Sequence, residues 1–183
     1  IVHVISIVTA GGCAASGRFT PLRPFEQRLI YPRADSPTAQ HPPSDDIIEW
    51  VLEAVPAMGA GWCPPGLLGI GIGGTAEKAM LLAKESLLEP IDMHELRVRG
   101  PNNRLEELRL EIYDRVNALG IGAQGLGGLT TVLDVKILDY PTHTASLPVA
   151  IIPNCAATRH ARFVLDGSGP VRLPVPNPAD WPQ

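Results

Sequence analysis

The three cysteines of this chain are the residues that can take part in the most kinds of chemistry. Cys13, Cys63 and Cys155 are far apart in the sequence, so the chain has no CxxC pair. This spacing excludes a zinc finger or zinc ribbon. An odd number of cysteines also argues against a disulfide framework. The remaining alternatives are buried free thiols, a catalytic thiol and a metal site.

Two of these cysteines stand beside turn-forming residues. Cys63 precedes two prolines, and Cys155 follows a Pro-Asn pair. Composition alone favours buried thiols, because free cysteine is among the most buried residue types. A loop position instead favours a thiolate that is presented to a site. We therefore treat Cys63 and Cys155 as candidate thiolates of a site, either catalytic or metal-binding.

His143 is the candidate acid–base residue. It lies between two threonines after Pro141, in a segment predicted to be a loop that faces the cysteines. A loop imidazole near a charged cofactor can titrate close to neutral pH and transfer protons. The alternative is an ordinary surface histidine. His3 is expected to pack within a strand, and His41 and His94 lie in polar surroundings that suggest no role.

Hydrophobic periodicity predicts the elements that position these residues. Short apolar or β-branched runs predict strands at 1–9, 66–73, 130–140, 147–152 and 162–165. Apolar residues at spacings of three and four predict helices that begin at the caps Ser44, Thr75 and Asn103. The segment 120–128, with five glycines in nine residues, is predicted to be a loop of closely approaching backbone. Together these elements predict an α/β fold, a mixed β-sheet with packed helices in one compact domain.

The same patterns predict two further features, a charged helix face and a glycine-rich strand end. The helix after Asn103 mixes acidic residues with Arg104, Arg109 and Arg115, which is typical of a solvent-exposed face with ion pairs. The glycines in 71–74 allow either close strand–helix packing or an anion site at the helix N-terminus. Both interpretations of the glycines remain open at this point.

Composition excludes several classes of function. The 183 residues carry a net charge of −4 and are 45% hydrophobic, which gives no electrostatic footprint for nucleic acid. No apolar run reaches the roughly 18 residues of a membrane span, and no signal peptide opens the chain. We expect a cytoplasmic protein, or one of the mitochondrial matrix. Disorder is expected only at 31–43 and in the Pro-rich tail 174–183.

Three long segments, in this order, carry a family resemblance: GWCPPGLLGIGIGGTAEKAMLLAKESL, NALGIGAQGLGGLTTVLDVKI and YPTHTASLPVAIIPNCAATRHARFVLDGSGP. They closely resemble the N-terminal, or α, domain of the class I fumarate hydratases, which are iron–sulfur enzymes related to L-tartrate dehydratase. The resemblance divides the chain into a poorly matching segment 1–43, an α domain 44–173, and a tail or linker 174–183.

The resemblance implies a [4Fe–4S] cluster held by three cysteines, with one iron open to fumarate or malate. Cys63 of WCPPG and Cys155 of PNCAATRH match two of its ligands, and His143 matches the active-site histidine. The family's first cluster cysteine lies in a CQDTG-like segment that this sequence does not contain. Cys13 falls opposite a glycine of a KGGGSEN-like loop, so the resemblance does not make it the third ligand.

The implied activity is that of an incomplete hydro-lyase, which interconverts fumarate and (S)-malate when a β domain or β subunit completes it. The complete enzyme is expected to be a homodimer. The alternative in the same class is the α subunit of L-tartrate dehydratase. An alternative from another class is a non-enzymatic phosphate- or nucleotide-binding module built on GIGIGGT, although that segment lacks the lysine of a P-loop.

Overall fold

The computed structural model describes residues 3–9, 26–30, 43–143, 147–157, 159–165, 167 and 169. Cys13, His41 and the tail 174–183 lie outside these residues, as does the expected disorder at 31–43, apart from Pro43. The division of the chain at residues 43 and 173 therefore stays a prediction.

The described residues form an α/β fold, as predicted. Its strands are β1 His3–Thr9, β2 Glu26–Ile30, β3 Gly66–Gly73, β4 Val132–Tyr140, β5 Leu147–Asn154 and β6 Arg159–Leu165. Its helices are α1 Pro43–Ala57, α2 Ala76–Ser86, α3 Met93–Arg99 and α4 Arg104–Ala118, with a short 3-10 helix at Ala123–Gly125. The strand β2 and the helix α3 were not predicted, because neither has a clear apolar period. None of the described helices is long and apolar enough to cross a bilayer.

Four strands make one mixed sheet in the order β2-β5-β3-β4. The strands β3 and β4 are parallel, and β5 runs antiparallel to both β2 and β3. The strands β1 and β6 form a separate antiparallel pair. The helices α2, α3 and α4 lie in the connection from β3 to β4, as a parallel crossover requires.

The main core lies between β3 and the helices α1 and α4. Fully buried aliphatic side chains such as Val51 of α1, Ile70 of β3 and Ile112 of α4 pack together there. The helix α2 packs beside the alternate positions of β3, which are glycines. A Cβ on Gly71 would lie 1.9 Å from the carbonyl oxygen of Ala79. Close packing thus accounts for this glycine without any bound anion.

Two of the three predicted caps are present, whereas the prediction for Ser44 is wrong, because α1 begins one residue earlier, at Pro43. The Thr75 side chain accepts a hydrogen bond from the Lys78 N–H, and the Asn103 side chain accepts one from the Glu106 N–H. The Glu106 carboxylate in turn accepts hydrogen bonds from the Asn102 N–H and from the Arg99 side chain. The hydrogen bond from Arg99 lowers the pKa of Glu106 to about 2.

The expectation that Arg109 faces solvent on α4 is wrong. This side chain is buried beside the edge strand β4, where its Nε donates to the Val135 carbonyl. Its Nη2 is 3.2 Å from Asp134, whose carboxylate is fully buried and also lies 3.0 Å from Lys136 Nζ. Asp92, at the start of α3, contacts both cations. Burial by itself raises the pKa of Asp92, but hydrogen bonds from Arg109 and Lys136 outweigh it, so the pKa is lowered.

Leu133 departs from the regular alternation of a strand in β4. It lies two residues before Val135 and four before Ile137, yet it is exposed while both of those are buried. The reason is a β-bulge: Gly66 pairs with Val132 and Leu67 pairs with Asp134, so Leu133 has no partner on β3.

Candidate functional site

The turn between α1 and β3 carries Cys63. It begins after the last residue of α1, and the Cys63 N–H donates to the Ala60 carbonyl at 3.0 Å. Cys63 itself has a φ of 57°, a left-handed conformation that non-glycine residues adopt uncommonly. The thiol is partly buried. The turn therefore presents a cysteine at the N-terminal end of β3.

Cys155 lies at the same end of the sheet. It directly follows β5, and the antiparallel pairing of Leu67 with Asn154 brings the end of β5 beside the start of β3. The two cysteine segments are joined directly, because the Ala156 N–H donates to the Cys63 carbonyl at 3.2 Å. The Cys155 thiol is also partly buried. Cysteines 92 residues apart in sequence are thus neighbours in space.

Gly66 makes this close approach possible. A Cβ at Gly66 would lie 1.9 Å from the Asn154 carbonyl oxygen, which is closer than real atoms come. The neighbouring Asn154 side chain accepts a hydrogen bond from the Cys155 N–H at 3.0 Å. Glycine at the start of β3 therefore sets the distance between the two cysteine segments.

The glycine-rich loop 120–128 packs against the Cys63 turn. The Gln124 N–H donates to the Pro64 carbonyl at 2.7 Å, and the Gln124 side-chain amide also approaches this carbonyl. Within the loop, a Cβ on Gly122 would lie 2.3 Å from the carbonyl of Gly127. The predicted close backbone approach is confirmed, and the loop supports the turn that carries Cys63.

The donor set at this end of the sheet suits soft metals. Thiolates are the ligands that iron–sulfur clusters use, and the Ala157 N–H donates to the Cys155 sulfur at 3.4 Å. Hydrogen bonds of this kind tune thiolate-bound metal centres. In the described residues no group of three His, Cys, Asp or Glu side chains is close enough to hold a metal. Among the described residues, Cys63 and Cys155 are thus the two thiols available to a soft metal.

Trp62 is a residue of this site that sequence reasoning missed. Its side chain is 3% exposed, and its buried indole N–H has no hydrogen-bond partner among the residues that the structure describes. An unsatisfied buried donor costs about 1–3 kcal/mol. Its position next to Cys63 was visible in the sequence, but the missing partner was not.

His143 lies at the opposite end of the sheet from the cysteines. It follows β4, whose last residue Tyr140 pairs with Gly73, the last residue of β3. The Thr142 hydroxyl donates to the Gly74 carbonyl at 3.0 Å and fixes the neighbouring backbone there. Eight strand residues separate the two ends, or roughly 25 Å at about 3.3 Å per residue. Within one chain the exposed His143 therefore does not face Cys63 and Cys155, contrary to the expectation for its loop.

Comparison with known proteins places this geometry in context. The family model described as Fumarate hydratase (Fumerase) matches residues 2–164. A Methanocaldococcus jannaschii protein named after the L(+)-tartrate dehydratase subunit alpha is 46% identical over 129 residues, which cover 68% of this chain and 44% of that protein. The L(+)-tartrate dehydratase subunit alpha of Escherichia coli K12 is 30% identical over 158 residues, covering 86% of this chain and 45% of that subunit. The chain thus spans less than half the length of these relatives.

Proposed function

We propose that this chain, which belongs to the fumarate hydratase (Fumerase) family, is the iron–sulfur part of a hydro-lyase that acts on a four-carbon dicarboxylate. One observation carries the proposal: the Ala156 N–H to Cys63 carbonyl hydrogen bond brings two distant cysteine segments to one end of the sheet. Family membership supplies the reaction class, and the cysteine pair supplies two soft ligands for its metal centre.

A [4Fe–4S] cluster with one open iron supplies a Lewis acid for a hydroxyl and a carboxylate when it is bound. In this chain, Cys63 and Cys155 would hold the cluster. The Ala157 N–H supports the sulfur of Cys155, and the loop 120–128 supports the turn of Cys63. These residues would hold and tune the metal centre, and they supply neither the proton transfer nor the cations that bind the second carboxylate.

Two substrates are candidates within this class. The resemblance noted above favours fumarate and (S)-malate. The names of the relatives favour L(+)-tartrate, because both relatives compared here are named for L(+)-tartrate dehydratase. In both reactions the elements of water are removed from, or added to, two adjacent carbons that each bear a carboxylate. We propose the fumarate reaction, with L(+)-tartrate as the second candidate to be assayed beside it.

The 183-residue chain by itself is expected to show no appreciable hydratase activity. Most of the rate of such enzymes comes from charges placed at the reacting atoms, and the described cysteine end carries thiols and backbone groups rather than cations. Anaerobic addition of iron, sulfide, a segment with the upstream cysteine, and a β subunit should restore activity. The loss of fumarate absorbance and the consumption of L(+)-tartrate are measured in parallel. Full activity of the chain without these additions contradicts the proposal.

We also propose that His143 acts on substrate held at the cysteines of a second copy of this chain. Within one chain the separation of roughly 25 Å, from about 3.3 Å per strand residue, is too long for proton transfer. A homodimer, which the resemblance implies, can bring the exposed His143 of one protomer to the cysteine end of its partner.

Replacing His143 with asparagine should leave the iron content of the completed enzyme unchanged and lower kcat by about 10² to 10⁴. His94→Asn, on the exposed surface of α3, is the matched control and should change neither the iron content nor kcat. Mixing the His143→Asn and Cys63→Ser variants should restore about a quarter of the activity. About half of the dimers then contain one protomer of each kind, and in such a dimer one of the two shared sites is intact. No recovery on mixing contradicts a shared site, and normal kcat in His143→Asn removes the residue from the reaction.

A further inference from the structure

The backbones of Cys63 and Cys155 lie as close together as those of disulfide-bonded cysteines. The Ala156 N–H donates to the Cys63 carbonyl at 3.2 Å. In a trans peptide the preceding Cα lies beside the N–H, so the Cα of Cys155 is about 4 Å from this carbonyl oxygen. The Cα of Cys63 is about 2.4 Å from the same oxygen, so the two Cα atoms are roughly 6 Å apart or less. Disulfide-bonded cysteines usually have Cα atoms about 4.4–6.8 Å apart.

The two side chains are also accessible and placed beside each other. Each thiol is partly buried, and each lies next to a strand end rather than inside a strand. A small oxidant such as hydrogen peroxide can therefore reach them. The Ala157 N–H donates to the Cys155 sulfur at 3.4 Å, which holds this side chain next to the amide group that contacts Cys63. Rotation of the Cys63 side chain about χ1 is the movement left to bring the two sulfurs into contact.

We propose that Cys63 and Cys155 form a reversible disulfide within the chain when no metal centre is bound to them. Hydrogen peroxide is the oxidant. The sulfur of one cysteine attacks the peroxide, the O–O bond breaks, and the products are a sulfenic acid and water. The sulfur of the other cysteine then attacks the sulfenic sulfur, and the oxygen leaves with the thiol proton as a second water. Two thiols and one peroxide thus give one disulfide and two waters.

The disulfide protects the metal-free site. A thiol reductant converts a disulfide back to two thiols, whereas an isolated sulfenic acid is oxidised further to a sulfinic acid that such reductants do not repair. The disulfide also withholds both sulfurs from metal, because the thiolate is the ligand. The pair of thiols is present with or without an iron–sulfur centre, so the disulfide goes beyond the proposed function and is tested without metal.

The test uses the metal-free 183-residue chain, reduced and then freed of reductant. It is treated with one equivalent of hydrogen peroxide, digested without reduction and analysed by mass spectrometry. We expect one peptide pair linked through Cys63 and Cys155, with a loss of about 2 Da from the chain for the two hydrogens removed. Dithiothreitol should reverse both. Cys13→Ser should give the same link, and adding Cys155→Ser to it should prevent the loss of mass.

The same oxidation in urea is the control for the fold. In the unfolded chain Cys13 and Cys63 should link more often than Cys63 and Cys155, because the loop between them is shorter. A predominant link to Cys13 in the folded chain, a link between two chains, or sulfinic acid without a link overturns the proposal. Each of these results leaves the proposed metal centre standing, since no metal takes part.

A second measurement connects the disulfide to the site. In the enzyme completed with its remaining segments, iron–sulfur reconstitution after peroxide treatment should succeed only when dithiothreitol is added first. Equal iron uptake without the reductant contradicts a disulfide between the two cysteines. Failure of the reduced enzyme to bind iron refutes the metal centre, while the linked peptide pair from the metal-free chain still supports the disulfide.

Discussion

Changing Cys63 or Cys155 to serine should abolish iron–sulfur binding in the enzyme completed with its remaining segments. Serine keeps the size of the side chain, and the Ala156 N–H to Cys63 carbonyl bond uses backbone atoms, so the local fold should survive. Oxygen is a poorer ligand than thiolate for these irons. We expect near-complete loss of iron and sulfide, measured by chemical analysis and by visible absorbance after anaerobic reconstitution.

Cys13→Ser is the control for these two changes, because the resemblance places Cys13 opposite a glycine. It should retain iron and sulfide at the level of the unaltered enzyme. Equal loss in all three variants would instead make Cys13 the third ligand and remove the need for an upstream cysteine. Retention of the cluster in Cys63→Ser would exclude the cysteine pair from metal binding.

Much of the candidate site was predictable because it depends on local signals. Pro64 and Pro65 mark the Cys63 turn, and the glycines of 120–128 mark a loop with close backbone contacts. The caps Thr75 and Asn103 mark helix starts that the structure confirms. Each of these signals involves residues within a few positions of one another, so no knowledge of tertiary pairing was needed.

The relative positions of the site residues were not predictable, because strand order and direction depend on pairing across the chain. Antiparallel pairing of β5 with β3 joins Cys155 to Cys63, while parallel pairing of β4 with β3 carries His143 to the far end. A pattern of alternating residues reveals neither direction nor neighbour. The same limit explains Arg109, whose charged neighbours suggested solvent until β4 supplied Asp134 and Lys136.

Changing Asp134 to alanine should be the most destabilising single change among the buried charges. Its fully buried carboxylate lies near Arg109 and Lys136 and also accepts a hydrogen bond from the Asp92 N–H at 2.9 Å. Asp92 also contacts both cations but can neutralise only one of them, so removing Asp134 leaves one buried positive charge uncompensated, which costs about 3–5 kcal/mol. We expect a loss of this size in the free energy of unfolding, measured by urea denaturation with the slope m unchanged.

Asp139→Ala is the matched control, because Asp139 lies on the same strand but is exposed. It should change the free energy of unfolding by less than about 0.5 kcal/mol, as surface substitutions usually do. Replacing Lys136 with methionine in the Asp134→Ala background should recover part of the loss, since the excess buried positive charge is then removed and Arg109 keeps Asp92 as its partner. A similar loss in the Asp134 and Asp139 variants, or no recovery in the double variant, would show that packing of β4 rather than charge pairing holds α4 and the loop 120–128 in place. In either case this loop supports the Cys63 turn through Gln124. The Asp134→Ala variant should therefore bind iron more weakly as well as unfold more easily.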